Sequence, residues 1–342
     1  MSLRRILNIA TAVIIVVVLF TLRDELMHAW ELLGRVNLWI LAAIIPLQLL
    51  SYYAGGAAVF SYLKRRGQAD RVKPWDMARM SLELNFVNHI LPTAGVSGVS
   101  YMTWRLSKLG VSSGRATLAQ VVRWATSFAA FVLLLMISVL VVTLDSGVNR
   151  LTILGTSGLI SAILIGCLVV WYVIDSEERL TRFSRGISRL TNAFGRRILR
   201  RKKELLSPEV VQFFFNELQD DYQSLKKEPR LLIRPFLWGI VFNLTEVSLF
   251  FFTFLSLGTL VNPAAILLAI GVASAIGAFL ITPGGAGGYE AIMVLMLTST
   301  GIPGAIVVAG VLLARIILIL LTIGTGYLFY HLALRRYGKR TA

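Results

Sequence analysis

Six stretches of the chain, residues 6–22, 38–63, 116–144, 151–174, 236–257 and 305–332, stay apolar long enough to cross a bilayer. About 20 apolar residues in a helix cover the roughly 30 Å of a hydrocarbon core. With no water in that core, the backbone must satisfy its own hydrogen bonds, so such runs become helices. Composition agrees, because 56% hydrophobic and only 15% charged residues, at a mean hydropathy of +0.73, exclude both a water-soluble globule and a disordered chain. The single cysteine, Cys167, excludes a disulfide framework and a multi-thiolate zinc site. His28, His89 and His331 leave little material for a metal site, and no cofactor is implied. Arg4 and Arg5 open the first run as they would a signal peptide. Arg23, Asp24 and Glu25 follow it in place of a small-residue cleavage site, so the run reads as a retained helix.

Two further runs, 77–91 and 264–281, each meet a Pro/Gly break and then a second short apolar run, 99–109 and 289–300. Helix, break and short helix is the pattern of a re-entrant hairpin, tolerated at membrane depth only where protein or a wet cavity surrounds it. Lys and Arg mark cytoplasmic loops. Lys64, Arg65, Arg66, Arg71, Lys73 and Arg79 mark one, Arg105, Lys108 and Arg115 another, and Arg335, Arg336, Lys339 and Arg340 the C-terminal end. Arg23, Arg35 and Arg150 remain for the opposite side. The expectation is an all-α polytopic protein of the cell membrane, a single membrane domain over 1–342 with both termini cytoplasmic. It has six transmembrane helices plus hairpins at 77–109 and 264–300; eight spans are the alternative. The net charge of +16 is then a topology signal, with no nucleic acid invoked.

Pro92 and Gly110 stand 18 residues apart, as do Pro283 and Gly301, at an offset of 191. Residues 38–144 and 236–332 each read as span, broken hairpin, glycine turn, and span with an arginine near its start. The charge assignment sends the two hairpins in from opposite sides, which makes an inverted-topology repeat with a site between broken helices near the midplane. Chance similarity among glycine-rich apolar segments is the alternative. Between the halves, residues 175–235 hold 14 Lys/Arg and 9 Asp/Glu. Leu180, Phe183, Ile187, Leu190, Phe194 and Ile198 share one helical face, and eight arginines from Arg179 to Arg201 fill most of the remainder. Such a helix, 175–201, suits an anionic cytoplasmic leaflet, or packs on a second helix that Ser207 caps and Pro229 stops.

A charge inside a span is costly and is therefore paired or functional. Arg315 lies about ten residues into its helix, and Arg123 holds the matching place in the first repeat. A guanidinium there can grip a phosphate bidentately, or an internal ion pair of Arg315 with Glu246 or Glu290 fixes helix packing. Glu290 falls in the first turn of a short helix, where a carboxylate is favoured by the helix dipole. The tip glycines Gly95, Gly98, Gly284, Gly285, Gly287 and Gly288, beside Pro92 and Pro283, expose N–H groups to an anion or let helices approach closely. Glu83, Asn85, Asn88 and His89 on the first hairpin, and Gly239, Asn243, Glu246 and Thr253 on the fifth span, form two polar stripes that would line a hydrophilic cavity. No nucleophile with its base and no phosphate-binding Walker loop accompanies them.

At these residues the chain resembles a known family. Residues 88–98 (NHILPTAGVSG) and 282–290 (TPGGAGGYE) look like the two Pro/Gly signatures of the flippase-like transmembrane region of lysylphosphatidylglycerol synthases, which also has stand-alone members. The similarity spans about 6–334 and departs from the common pattern at Ala94 and at Val99-Ser100, positions that bear on the substrate more than on the fold. It implies a protein, not itself an enzyme, that moves a polar-headed, phosphate-bearing lipid between leaflets. With Ala342 only eight residues past Leu334, the aminoacyl-transferase domain of full-length synthases is not expected. Membrane lipids are the expected partners, with a homo-oligomer or a cytosolic partner besides. The alternative function is a membrane enzyme or subunit acting on lipid-linked intermediates; an ion channel fits less well, because the cavity charges are of mixed sign.

Overall fold

Asn37 opens the first described span. Its side-chain oxygen accepts the free N–H groups of Trp39 and Ile40, at 3.1 and 3.3 Å, so a helix can begin there. The computed structural model describes residues 36–69, 72–90, 96–144, 226–277 and 287–337, with Gly34 and a few residues between 172 and 186. The expected span 6–22, nearly all of 151–174, most of the basic loop with Ser207, and Pro92, Gly95, Pro283, Gly284 and Gly285 lie outside them.

Among the described residues every regular element is a helix. In chain order they are α1 (Leu38–Ala42), α2 (Ile44–Arg65), α3 (Pro74–Ile90), α4 (Val96–Ser107), α5 (Ser113–Leu144), α6 (Arg230–Ser256), α7 (Pro263–Gly277), α8 (Gly288–Thr298) and α9 (Gly304–Tyr337). Four stretches among them are long and apolar enough to cross a membrane: Leu38–Arg65, Gly114–Val141, Arg230–Ser256 and Gly304–Arg335. They match four of the expected spans. The third begins six residues earlier than 236, because Pro229 stands just ahead of the helix and Pro235 is absorbed inside it. A proline this close to an N-terminus forfeits little hydrogen bonding.

The order long, short, short, long occurs twice, with Ser113 and Gly304 opening the last long helix of each set, 191 residues apart. The turns ahead of them match as well. Gly110 and Gly301 have φ of +83° and +90°, a left-handed backbone that glycine enters without steric cost. The sets also interlock. Gly271 of α7 faces the rings and methyls of Phe131 and Leu135 on α5, and Gly326 of α9 faces Phe86 and the Leu82 carbonyl on α3. Small residues let helix backbones approach closely where hydrophobicity alone gives no drive to associate.

Within the first set, a Cβ on Gly56 of α2 would lie 2.6 Å from the Met77 carbonyl oxygen on α3. Backbone cannot yield as a side-chain tip can, so Gly56→Leu is expected to destabilise the protein by about 1–3 kcal/mol. Thermal melting in detergent reads that loss, and Gly324→Leu, facing open space within helix α9, supplies the contrast for crowding alone.

By packing, the chain divides into one unit of residues 1–13 with 161–231 and another of 14–160 with 232–342. In the first, Arg182 pairs with Glu178 at 2.9 Å, Lys226 with Asp175 at 3.1 Å, and the Arg179 guanidinium lies 3.8 Å from the centroid of the Tyr172 ring. The second unit holds every other contact described below.

Candidate functional site

Arg315 lies eleven residues into α9, about 16 Å along the axis at 1.5 Å per residue. Its Nε donates to Glu290 Oε1 at 2.6 Å, and its guanidinium lies 4.7 Å from the centroid of the Tyr289 ring. Of the two carboxylates expected as partners, Glu290 makes the ion pair. Glu246, on α6, accepts instead from Ser51 Oγ of α2 at 2.8 Å, while remaining within electrostatic reach of Arg315. The other oxygen of Glu290 accepts the Gly287 N–H at 2.7 Å, tying off the start of α8. One carboxylate thus fixes a short helix and compensates a guanidinium at membrane depth.

Arg123 lies ten residues into α5, about 15 Å along the axis. It has no such compensation. Among the described residues it forms no ion pair, and its enclosed Nε has no hydrogen-bond partner. Its neighbours are the Trp124 ring, 5.1 Å from the guanidinium to the centroid, and the backbone of Gly55 on α2. Gln120, one turn earlier on the same side of α5, is 1% exposed, and neither atom of its amide has a partner. Buried polar groups are almost always bonded, so two such orphans one turn apart on α5 stand out in this packing.

The stripe on α6 is put to use in packing. Asn243 Nδ2 donates to the carbonyls of Gly239 and Ser127, at 2.8 and 3.0 Å, and Gly239 lies against the Ser127 backbone. Thr253 returns its hydroxyl to the Leu249 carbonyl. These groups seam α6 to α5, rather than lining open space as their spacing suggested. The first hairpin behaves likewise. Glu83, wholly buried, accepts hydrogen bonds from Tyr101 Oη at 2.9 Å and Arg105 Nε at 3.3 Å, and forms an ion pair with Arg79 at 3.5 Å. Asn88 Oδ1 accepts the Gly98 N–H at 3.0 Å, holding α4 against α3, and Asn85 donates to the Ser81 carbonyl. The N–H groups of Gly98 and Gly287, expected for an anion, are therefore already occupied by Asn88 and Glu290. Gly288, the first residue of α8, follows that capped glycine, and the His89 side chain lies outside the described residues.

Crowded charges at the ends of broken helices, on an interlocked all-helical scaffold, fit the first signature and the second alike. The family model for the lysylphosphatidylglycerol synthase TM region matches residues 7–326. The chain belongs to that family. It is thus a multi-pass membrane protein whose membrane domain is linked to lipid handling. A UPF0104 membrane protein of Methanothermobacter thermautotrophicus is 22% identical over 236 residues, 68% of this chain and 67% of the relative. No solved structure matches.

Several residues of this synthase-type membrane region escaped the reading of the sequence. Arg79 and Arg105 looked like loop charges, and the structure turns both onto Glu83. Ser51 and Tyr289 carried no signal beyond one hydroxyl in an apolar run. Gln120 had one, its i, i+3 spacing from Arg123.

Proposed function

We propose that this protein is a lipid translocase, moving a phosphate-bearing lipid between leaflets without chemically changing it. Arg123 carries the reading: a permanently charged group at membrane depth, free of any counter-ion among the described residues, with the orphaned amide of Gln120 beside it. A lipid phosphate offers the acceptors both lack, and a guanidinium takes a phosphate in two parallel hydrogen bonds. In this reading the two helix sets are halves of an inverted repeat, and α3–α4 and α7–α8 are re-entrant arms. Asn88 and Glu290 hold their arms in shape while Arg123 receives the head group; the acyl chains stay in the bilayer. The Arg315–Glu290 pair is the counterpart position, closed by protein in place of ligand. The Lys/Arg-rich ends of α2, α4 and α9 face the cytoplasm.

Reconstitution tests this. Vesicles carrying the full chain and a fluorescent phosphatidylglycerol should lose outer-leaflet signal to a membrane-impermeant quencher and then, from the inner leaflet, continue to lose it. Protein-free vesicles should stop near half. An identical plateau with and without protein would sink the translocase, and a chemically altered lipid recovered from the vesicles would favour an enzyme.

A further inference from the structure

We infer that a cavity beside the Lys/Arg-rich end of α2 is the docking vestibule for an anionic phospholipid, selected by net head-group charge before it reaches Arg123. The inference rests on the translocase reading for its destination, though not for the binding itself.

The cavity has a volume of about 450 Å³ and lies between α2, the start of α3 and the start of α6. Lys64 and Arg234 line it, with Ser61 next to them. Neither cation forms an ion pair among the described residues, and they come from different helices, α2 and α6, so the fold brings them together across a cleft. Tyr53 and Trp238 form the inner wall, edge to face with centroids 5.3 Å apart. Leu237 is 53% exposed on the rim, so the mouth opens sideways, where acyl chains would lie. Tyr53 also lines a second groove of about 360 Å³, almost wholly apolar, with Leu49, Leu50, Trp75 and Leu82. Cations at one end, a hydroxyl, amphipathic rings and an adjoining apolar groove match one kind of molecule: a glycerophospholipid with its phosphate towards Lys64 and Arg234 and a chain along the groove.

The vestibule adjoins the core site across closely packed residues of α2 and α3. Ala57 and Met77 line it; Gly56 touches Met77 and Ser81; Gly55, next to it on α2, faces Ser81 and Arg123. The half-buried Lys64 and the exposed Arg234 would hold a phosphate about two turns of α2 away from Arg123. The same charges make a further choice. A phosphatidylglycerol head group carries one negative charge, whereas its lysyl ester carries a net positive one. Lys64 and Arg234 favour the first and repel the second. This chain's cargo is then the unmodified anionic lipid, and not the aminoacylated product in the family's name.

Native mass spectrometry of the full chain, titrated with phosphatidylglycerol, phosphatidylcholine and lysylphosphatidylglycerol, tests it. Phosphatidylglycerol should bind in preference to the other two, and Lys64→Gln with Arg234→Gln should erase a preference of about 30-fold, two cations near a membrane surface each supplying about a factor of five. The Lys64→Arg/Arg234→Lys pair, which keeps both charges, should retain it, and matched melting profiles guard against misfolding. A glutamine double variant that keeps the wild-type preference overturns the vestibule, as does equal binding of the lysyl ester. Displacement of the lipid by inorganic phosphate at millimolar concentration overturns a lipid occupant in favour of a free anion. If charge-dependent binding appears and vesicle transport does not, the vestibule stands and the translocase reading falls.

Discussion

Arg123→Gln should slow lipid movement at least about tenfold and leave the protein more stable than before. Both signs follow from the absence of a counter-ion. An arginine near the centre of a span costs about 2.5–3.5 kcal/mol on insertion scales, and among the described residues the Trp124 ring stands against Arg123 but no carboxylate pairs with it. Glutamine removes the charge and keeps donors for Trp124 and Gln120 to pack around, so melting in detergent should rise. Transport should fall by about 10- to 150-fold, since a hydrogen bond to a charged group contributes about 1.5–3 kcal/mol. A variant that melts higher and transports at the wild-type rate would remove Arg123 from the path. One that melts lower would show a partner for it in the folded protein.

Arg315→Gln should behave in the opposite way. Its charge is compensated at 2.6 Å by a carboxylate that also caps α8, and Glu246 stands within electrostatic reach. Removing the guanidinium leaves acidic groups without their cation in a largely buried place. Breaking one partner of a buried pair costs about 3–5 kcal/mol, so Arg315→Gln should melt far lower and express poorly. Glu290→Gln should also destabilise, because a neutral amide removes the carboxylate that pairs with Arg315 at 2.6 Å. The double variant Arg315→Gln/Glu290→Gln should recover part of the loss, since neither member of the 2.6 Å pair is then left without the other. A double-mutant cycle in melting free energy reads this directly; additive single losses would exclude the pairing. The ion pair to Glu290 makes stability the first casualty.

The four spans were legible because a run of apolar residues forces a helix in lipid whatever its neighbours are. The glycine turns were legible too, since spacing repeated at Gly110 and Gly301, and both adopt the backbone that glycine permits. Side-chain destinations were not. Asn88, Asn243 and Glu290 are polar residues in apolar surroundings, which says that each needs a partner and not which one. A lipid ligand, a neighbouring backbone and an opposing charge satisfy that need equally well on paper. Asn243 found the Ser127 carbonyl, Asn88 the Gly98 amide, and Glu290 both an amide and Arg315. Only the three-dimensional arrangement shows that Arg123 and Gln120 found none.

The interlocking of the two helix sets limits how such a protein can move. Between the sets, α9 lies on α3 through Gly326 and Phe86 and α7 on α5 through Gly271 and Phe131; within the second set α9 lies on α6 through Gly310 and the Phe254 ring. A hinge that swung one set away from the other would strip both short arms of their cover at once. A glycine set against a ring is a smooth bearing, with no side chain to catch as one helix slides past the other. Shear of packed helices, small at each contact and summed across three of them, is the motion this packing leaves open.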